Sequence, residues 1–166
     1  MRSGLALSWI AIAVLITEPG HEPEATLRLG RIGFDHVAGY LAGRIDALAA
    51  RPELTRQTER MTPLTLAAAL ASADPPLLLD VRTPQERHTR YIAGSRHIPL
   101  HRLQRQIHDV PRGHTMVVYC AGGYRSSLAV SLLEQHGITP LADLDGGMTA
   151  WADTGLETLI PEAESA

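Results

Sequence analysis

The chain has 166 residues, 45% of them apolar but only 4% aromatic, so Leu, Ala, Val and Ile must fill its core. The formal net charge is −3 and all 15 basic residues are arginine, which excludes the broad basic surface that nucleic-acid binding needs. A single cysteine excludes an internal disulfide and a resolving thiol within the chain.

Residues 5–16 form an apolar run behind Arg2. Its length and flanking charge suit a signal peptide, but Thr17-Glu18-Pro19-Gly20 follows where a small-residue cleavage site belongs. The run is also short for a membrane span. Its β-branched content and its Pro-Gly stop predict a buried parallel strand. The expected location is therefore the cytoplasm, with no membrane partner. Residues 24–32 predict an amphipathic helix and residues 36–41 a short strand. Residues 1–50 thus read as a β-α-β unit. Residues 51–57, polar and holding Pro52, read as a linker.

A second, longer unit is expected over residues 58–157. Residues 57–61 predict its first short strand. Thr62 as cap and Pro63 at the first position start a helix to about residue 71, and Asp74-Pro75-Pro76 breaks it. Residues 77–81 predict a buried strand, and Thr83-Pro84 repeats the cap-then-proline start for a short helix. Residues 99–107 predict a helix, Pro111-Arg112-Gly113 a turn, and residues 115–119 the central strand. A helix follows from near Arg125 and ends at Gly137, then a strand over residues 141–144. The acidic tail, residues 158–166, is expected to fray. The fold class is α/β, an open parallel sheet flanked by helices.

The chain is organised around the lone thiol. Residues 116–119 end in Cys120, a short loop with Gly122 and Gly123 follows, and a helix starts near Arg125. The thiol thus sits at the carboxyl end of a strand, where open parallel sheets bind ligands. If the loop curls over Cys120, the amides of Ala121, Gly122, Gly123, Tyr124 and Arg125 point at the sulfur and the helix start adds positive potential. Both favour an anion, so they depress the thiol pKa and hold a thiolate or persulfide. Gly122 and Gly123 allow positive φ, and Arg125 offers fork-like donors to an anionic substrate.

The run Cys120-Ala121-Gly122-Gly123-Tyr124-Arg125-Ser126 resembles the active-site loop of rhodanese-type sulfurtransferases. Leu78-Leu79-Asp80-Val81-Arg82 with Glu86 resembles the family's first signature. Ile92-Ala93-Gly94-Ser95-Arg96-His97-Ile98-Pro99 is similar to its second, with Tyr91 where histidine is commoner. Leu144-Asp145-Gly146-Gly147-Met148-Thr149-Ala150-Trp151 is similar to its closing Gly-Gly-x-x-x-Trp motif. Order and spacing agree over about three fifths of the chain. The resemblance implies a rhodanese-like sheet, Cys120 as nucleophile, and a substrate cradle of Ala121, Gly122, Gly123, Tyr124, Arg125 and Ser126. It implies supporting roles for Asp80, Arg82 and Glu86, with Arg82 paired to Glu86 beside the pocket. A structural ion pair without chemistry is the other reading of these three. Trp151 reads as core.

The N-terminal unit resembles the second half of the same domain, with Ile16-Thr17 where the cysteine would fall, and so reads as a degenerate half-repeat. The run from Arg31 to Gly43 is similar to the segment before the last rhodanese module in bacterial fusions with a metallo-β-lactamase-fold module. That likeness implies a bacterial origin and a chain that is the C-terminal remainder of such a fusion or the product of a gene whose start lies inside one. No His-x-His-x-Asp-His cluster is present, so no metal is expected. An incomplete sheet exposes an edge, so homodimerisation through residues 1–50 is expected, and a clean monomer in light scattering would exclude it.

The expected activity is a two-step transfer of sulfane sulfur through a persulfide on Cys120. The donor is thiosulfate or a low-molecular-weight persulfide, the acceptor is a thiol or cyanide, and no cofactor takes part. Two alternatives stand beside it. One is a sulfur carrier or interaction module without turnover. The other is a cysteine-based phosphatase or arsenate reductase, whose loops hold five residues between Cys and Arg where this chain has four. The shorter loop fits sulfur better. His88, His97, His101, His108 and His114 lack zinc-site spacing, and none is needed as a base if the loop already ionises Cys120.

Overall fold

The computed structural model describes residues 13–55 and 57–161. The chain divides into two compact units, Met1–Gln57 and Thr58–Ala166.

In the first unit, β1 (Ala13–Leu15) and β2 (Val37–Tyr40) pair in parallel, joined through α1 (Glu22–Gly30). Residues 44–48, which follow Gly43, form a 3₁₀ turn. The expectation of a buried strand is corrected within the described residues: Val14 is 65% exposed and only Leu15 is buried. Residues 5–12 of that expectation lie outside the described residues. Helix α1 buries no residue fully.

The second unit carries a five-stranded parallel sheet. Its strands are β3 (Glu59–Met61), β4 (Leu77–Asp80), β5 (Arg96–His97), β6 (Met116–Tyr119) and β7 (Leu141–Leu144), in the order β3-β7-β6-β4-β5. The crossovers hold α2 (Pro63–Leu70), α3 (Pro84–Thr89), α4 (Leu100–Leu103) and α5 (Tyr124–Gln135), and α6 (Gly147–Asp153) follows β7. Strands β6 and β7 are buried at every position. That is why β6 reads as a continuous apolar run, since a parallel sheet is covered on both faces, while β7 carries one acid, Asp143.

The alternation of strand side chains sorts the core into two clusters. Met116, Val118, Cys120 and Leu141 pack with Leu103 of α4 and with Ala129, Val130 and Leu133 of α5. Val117, Tyr119, Ala142 and Leu144 pack on the other face with Leu66 of α2 and with Met148 and Trp151 of α6. Trp151 is thus core, and its indole N–H donates to the Glu157 carbonyl at 3.0 Å.

The two cap-then-proline starts follow their sequence closely. Thr62 Oγ1 accepts from the Thr65 N–H at 3.2 Å. Thr83 and Glu86 form a full capping box, the Thr83 N–H donating to Glu86 Oε2 at 2.9 Å. The expected helix over residues 99–107 is corrected. It is split into the short α4 and a 3₁₀ turn, Ile107–Asp109, because the backbone leaves helical geometry at Gln106, which takes φ −104° and ψ 19°. Among the described residues no helix is long and apolar enough to cross a membrane.

Candidate active site

Strand β6 is the middle of the sheet and delivers Cys120 one residue past its carboxyl end. The chain reverses through Ala121, Gly122 and Gly123 and enters α5 at Tyr124. Gly123 makes that reversal at φ +102°, in the left-handed region where glycine is favoured. Gly122 has no positive φ, so only one of the two glycines is needed for that freedom.

The sulfur is almost fully enclosed, with Cys120 1% exposed. The Gly123 N–H donates to Sγ at 3.1 Å and the Ser126 hydroxyl donates to it at 3.5 Å. Burial pushes the thiol pKa up, but the Ser126 hydroxyl and the N–H groups of Ser126, Gly123 and Gly122 outweigh it and hold the pKa below its ordinary value. Neutral dipoles thus favour the thiolate form of the sulfur.

The loop is held in this form from outside by α6. The Met148 N–H donates to the Cys120 carbonyl at 2.8 Å and the Thr149 N–H to the Ala121 carbonyl at 3.0 Å. In a planar trans peptide the N–H points opposite to the C=O. Tying those two carbonyls to α6 thus turns the following N–H groups, of Ala121 and Gly122, the other way. Gly147 makes the approach close enough: a Cβ there would lie 2.5 Å from the Cys120 carbonyl oxygen and 2.8 Å from that of Ala121.

Arg125 lies at the mouth, where its Nη1 and Nη2 donate to the Glu86 carboxylate at 2.7 and 2.5 Å. The guanidinium holds the Glu86 pKa down to about 2. Two expectations are corrected here. The fork of Arg125 is already filled by a carboxylate and does not stand free for a substrate. Glu86 pairs with Arg125, not with Arg82.

Arg82 turns to Asp80 because both are buried at the end of β4, where an unpaired charge would be costly. Its Nε and Nη2 donate to the Asp80 carboxylate at 2.9 and 2.6 Å. Arg87 Nη1 reaches the same carboxylate at 3.2 Å, and so does the Tyr119 hydroxyl at 3.0 Å. Tyr119 also lies 2.9 Å from Ser95 Oγ, and burial raises its pKa to about 12. This polar network braces β4 against the residue just before Cys120.

The structure therefore brings Cys120, Gly123, Ser126, Arg125 and Glu86 together around the sulfur and its mouth. Ala121 serves through its carbonyl, and the Tyr124 side chain is 77% exposed. Asp80 and Arg82 stand behind the site as a brace. His97 is committed elsewhere, with Nε2 on the Arg82 carbonyl at 2.9 Å, and His101 is exposed.

Sequence reasoning passed over Gly147, Tyr119, Ser95, Arg87 and Asp143 as site residues. Asp143 had a legible signal, an acid inside the fully buried strand Leu141–Leu144. Gly147 stood in the closing Gly-Gly-x-x-x-Trp motif and Ser95 in the second signature, while Tyr119 and Arg87 signal nothing until the strands are paired.

Residues 62–154 match the family model of the rhodanese-like domain. A sulfurtransferase of Allochromatium vinosum is 35% identical over 98 residues, covering 59% of this chain and 92% of that protein. The thiosulfate sulfurtransferase GlpE of Stutzerimonas stutzeri is 32% identical over 78 residues, covering 47% of this chain and 72% of that protein. The crystal structure of a rhodanese-related protein from Thermoplasma volcanium superposes with a TM-score of 0.58 at 29% identity, over 62% of this chain and 99% of that one. With its family match spanning more than half its length and containing the Cys120 loop, the chain belongs to the rhodanese-like domain family.

Proposed function

We propose that the protein is a sulfurtransferase that carries sulfane sulfur as a persulfide on Cys120. The observation that carries this reading is the enclosed sulfur, solvated by the Gly123 amide and the Ser126 hydroxyl at 3.1 and 3.5 Å with its pKa depressed. The sulfurtransferase names of two relatives support the reaction class.

In the first step the Cys120 thiolate attacks the outer sulfur of the donor. A new S–S bond forms on Sγ and the donor's own S–S bond breaks, releasing sulfite or a thiolate. In the second step the acceptor, a thiolate or cyanide, attacks the outer sulfur of the persulfide. Its bond to Sγ breaks and the thiolate is restored. The loop amides and the Ser126 hydroxyl favour the anion at both ends of the cycle. No other nucleophile is required.

A low-molecular-weight persulfide suits the mouth better than thiosulfate. Arg125 is neutralised by Glu86, so a dianion meets an ion pair there, not a free cation. The loop with four residues between Cys120 and Arg125 encloses a sulfur atom and is short for a phosphate group.

The test is intact-protein mass after brief exposure to thiosulfate or glutathione persulfide. The wild type should gain one sulfur atom, cyanide should discharge it, and Cys120→Ser should gain nothing. Steady-state turnover with cyanide or a thiol separates the enzyme from a carrier. No gain with either donor refutes the persulfide reading.

A further inference from the structure

The chain is acidic as a whole, but one stretch of it is strongly basic. Residues 87–114 hold six of the 15 arginines and, of the 18 acids, Asp109 alone. With histidine neutral that stretch carries +5 in a chain of net charge −3, which leaves −8 on the rest. It runs from within α3 through β5 and α4 to the turn before β6, so it includes the edge strand of the sheet.

Elsewhere on the surface Arg28, Arg44, Arg51 and Arg60 each meet a carboxylate. Arg96, Arg102 and Arg105 are exposed and, among the described residues, meet none. Arg102 and Arg105 stand one helical turn apart, the Arg105 N–H donating to the Arg102 carbonyl at 3.0 Å. Like charges at that spacing repel, so the arrangement costs stability. Arg96 lies on the same side of the sheet as α4. It is in register with Leu79, and Leu79 packs in one core cluster with Leu103 of α4 and with Ile98, two residues beyond Arg96.

This basic surface begins on the rim that carries Cys120. The Val81 N–H donates to the Tyr119 carbonyl at 3.0 Å, and the Leu100 N–H donates to the Val81 carbonyl at 3.1 Å. Tyr119, Val81 and Leu100 therefore stand side by side at the carboxyl edge of the sheet, the outer two separated by two strand spacings, about 10 Å. Cys120 follows Tyr119, and His101 and Arg102 follow Leu100.

We infer that Arg96, Arg102 and Arg105 dock an acidic protein, which takes the sulfur from Cys120. The inference rests on the sulfurtransferase reading and names the acceptor's class. The partner's thiolate attacks the outer sulfur of the Cys120 persulfide; an S–S bond forms on the partner, the bond to Sγ breaks, and the electron pair returns to Cys120 as thiolate. Guanidinium forks match carboxylates with paired hydrogen bonds. The charges are spread along a strand and a helical turn, which fits a face bearing several carboxylates and not one small anion. The excess of −8 on the rest of the chain opposes a long nucleic-acid backbone. A two-residue edge strand that starts with an arginine is a poor template for strand pairing, so charge makes the contact. Complementary charge beside a reactive group raises the rate of productive encounter.

The test uses the full-length protein and two peptide thiols, hexaglutamate and hexaglutamine, each ending in Gly-Cys. Fluorescence polarisation with the peptide thiol blocked needs no sulfur chemistry. At about 0.01 M salt the wild type should bind hexaglutamate about tenfold tighter than hexaglutamine, and the preference should fade at about 0.15 M. The triple variant Arg96→Gln, Arg102→Gln, Arg105→Gln should lose the preference, and Arg102→Gln alone should lose about half of it on a logarithmic scale. A control triple variant of the first unit, Arg28→Gln, Arg31→Gln, Arg51→Gln, makes the same change in net charge and should keep it. Circular dichroism confirms folding of each. With Cys120 loaded from glutathione persulfide, the free hexaglutamate thiol should discharge the wild type about tenfold faster than hexaglutamine, and the two rates should converge in the rim variant while its rate with glutathione stays unchanged. Equal binding of the two peptides overturns the inference. So does an equal loss in both triple variants, which net charge alone explains, and so does tighter binding of a hexathymidylate than of hexaglutamate. Equal discharge rates by the two peptide thiols overturn the acceptor role. A Cys120 that takes up no sulfur refutes the sulfurtransferase reading instead, and polarisation then decides the docking surface.

Discussion

Gly147→Ala probes how the loop over Cys120 is held. At φ +58° the new side chain would enter the left-handed region, which costs about 1 kcal/mol for a non-glycine residue. Its Cβ would also sit 2.5 Å from the Cys120 carbonyl oxygen and 2.9 Å from the Ala121 carbonyl carbon, both backbone atoms that cannot swing aside. Relieving that overlap separates α6 from the loop. It removes the Met148-to-Cys120 and Thr149-to-Ala121 hydrogen bonds, each contributing about 1 kcal/mol. Together these contributions give a destabilisation of about 3 kcal/mol. Urea denaturation at neutral pH should show that loss. Iodoacetamide alkylation of the still-folded variant should show a higher thiol midpoint, because the freed carbonyls no longer orient the amides. A stability loss below about 1 kcal/mol with an unchanged thiol midpoint would refute the clamp.

Further outcomes follow from the polar groups around the loop. Glu86 has its pKa lowered to about 2 by Arg125, so its stabilising effect is complete above the unfolded value of 4.5 and fades as pH falls through about 2. Glu86→Gln should therefore lose about 1 kcal/mol at neutral pH, discounted because the pair is about one third exposed, and its deficit should vanish in acid. Equal deficits at neutral pH and in acid would contradict the pairing. The same variant frees the Arg125 fork, so the relative rate with thiosulfate over glutathione persulfide should rise. Tyr119→Phe removes a buried hydroxyl that meets Asp80, Ser95 and the Ile92 N–H. It should destabilise by about 2 kcal/mol in urea while leaving the persulfide mass gain intact.

Much of this protein was written locally. Short apolar runs bounded by turn residues marked the strands, Thr62 and Thr83 marked helix starts, and a thiol followed by a glycine loop marked the site. These features depend on neighbours a few residues apart, and backbone hydrogen bonding and chain stiffness act over that range. The partners of the charged groups were not written there. Arg82 stands two residues from Asp80 and four from Glu86, and spacing alone allows either. Burial chose Asp80, and the crossover between β4 and β6 carried Arg125 to Glu86 across the sheet. Strand register, in turn, set Asp143 opposite Val118 and under α5. The sequence alone determined the parallel α/β sheet of the second unit, the thiol and its loop. Only the tertiary structure decided which charges meet, because those contacts join residues far apart in the chain, and burial makes each of them consequential.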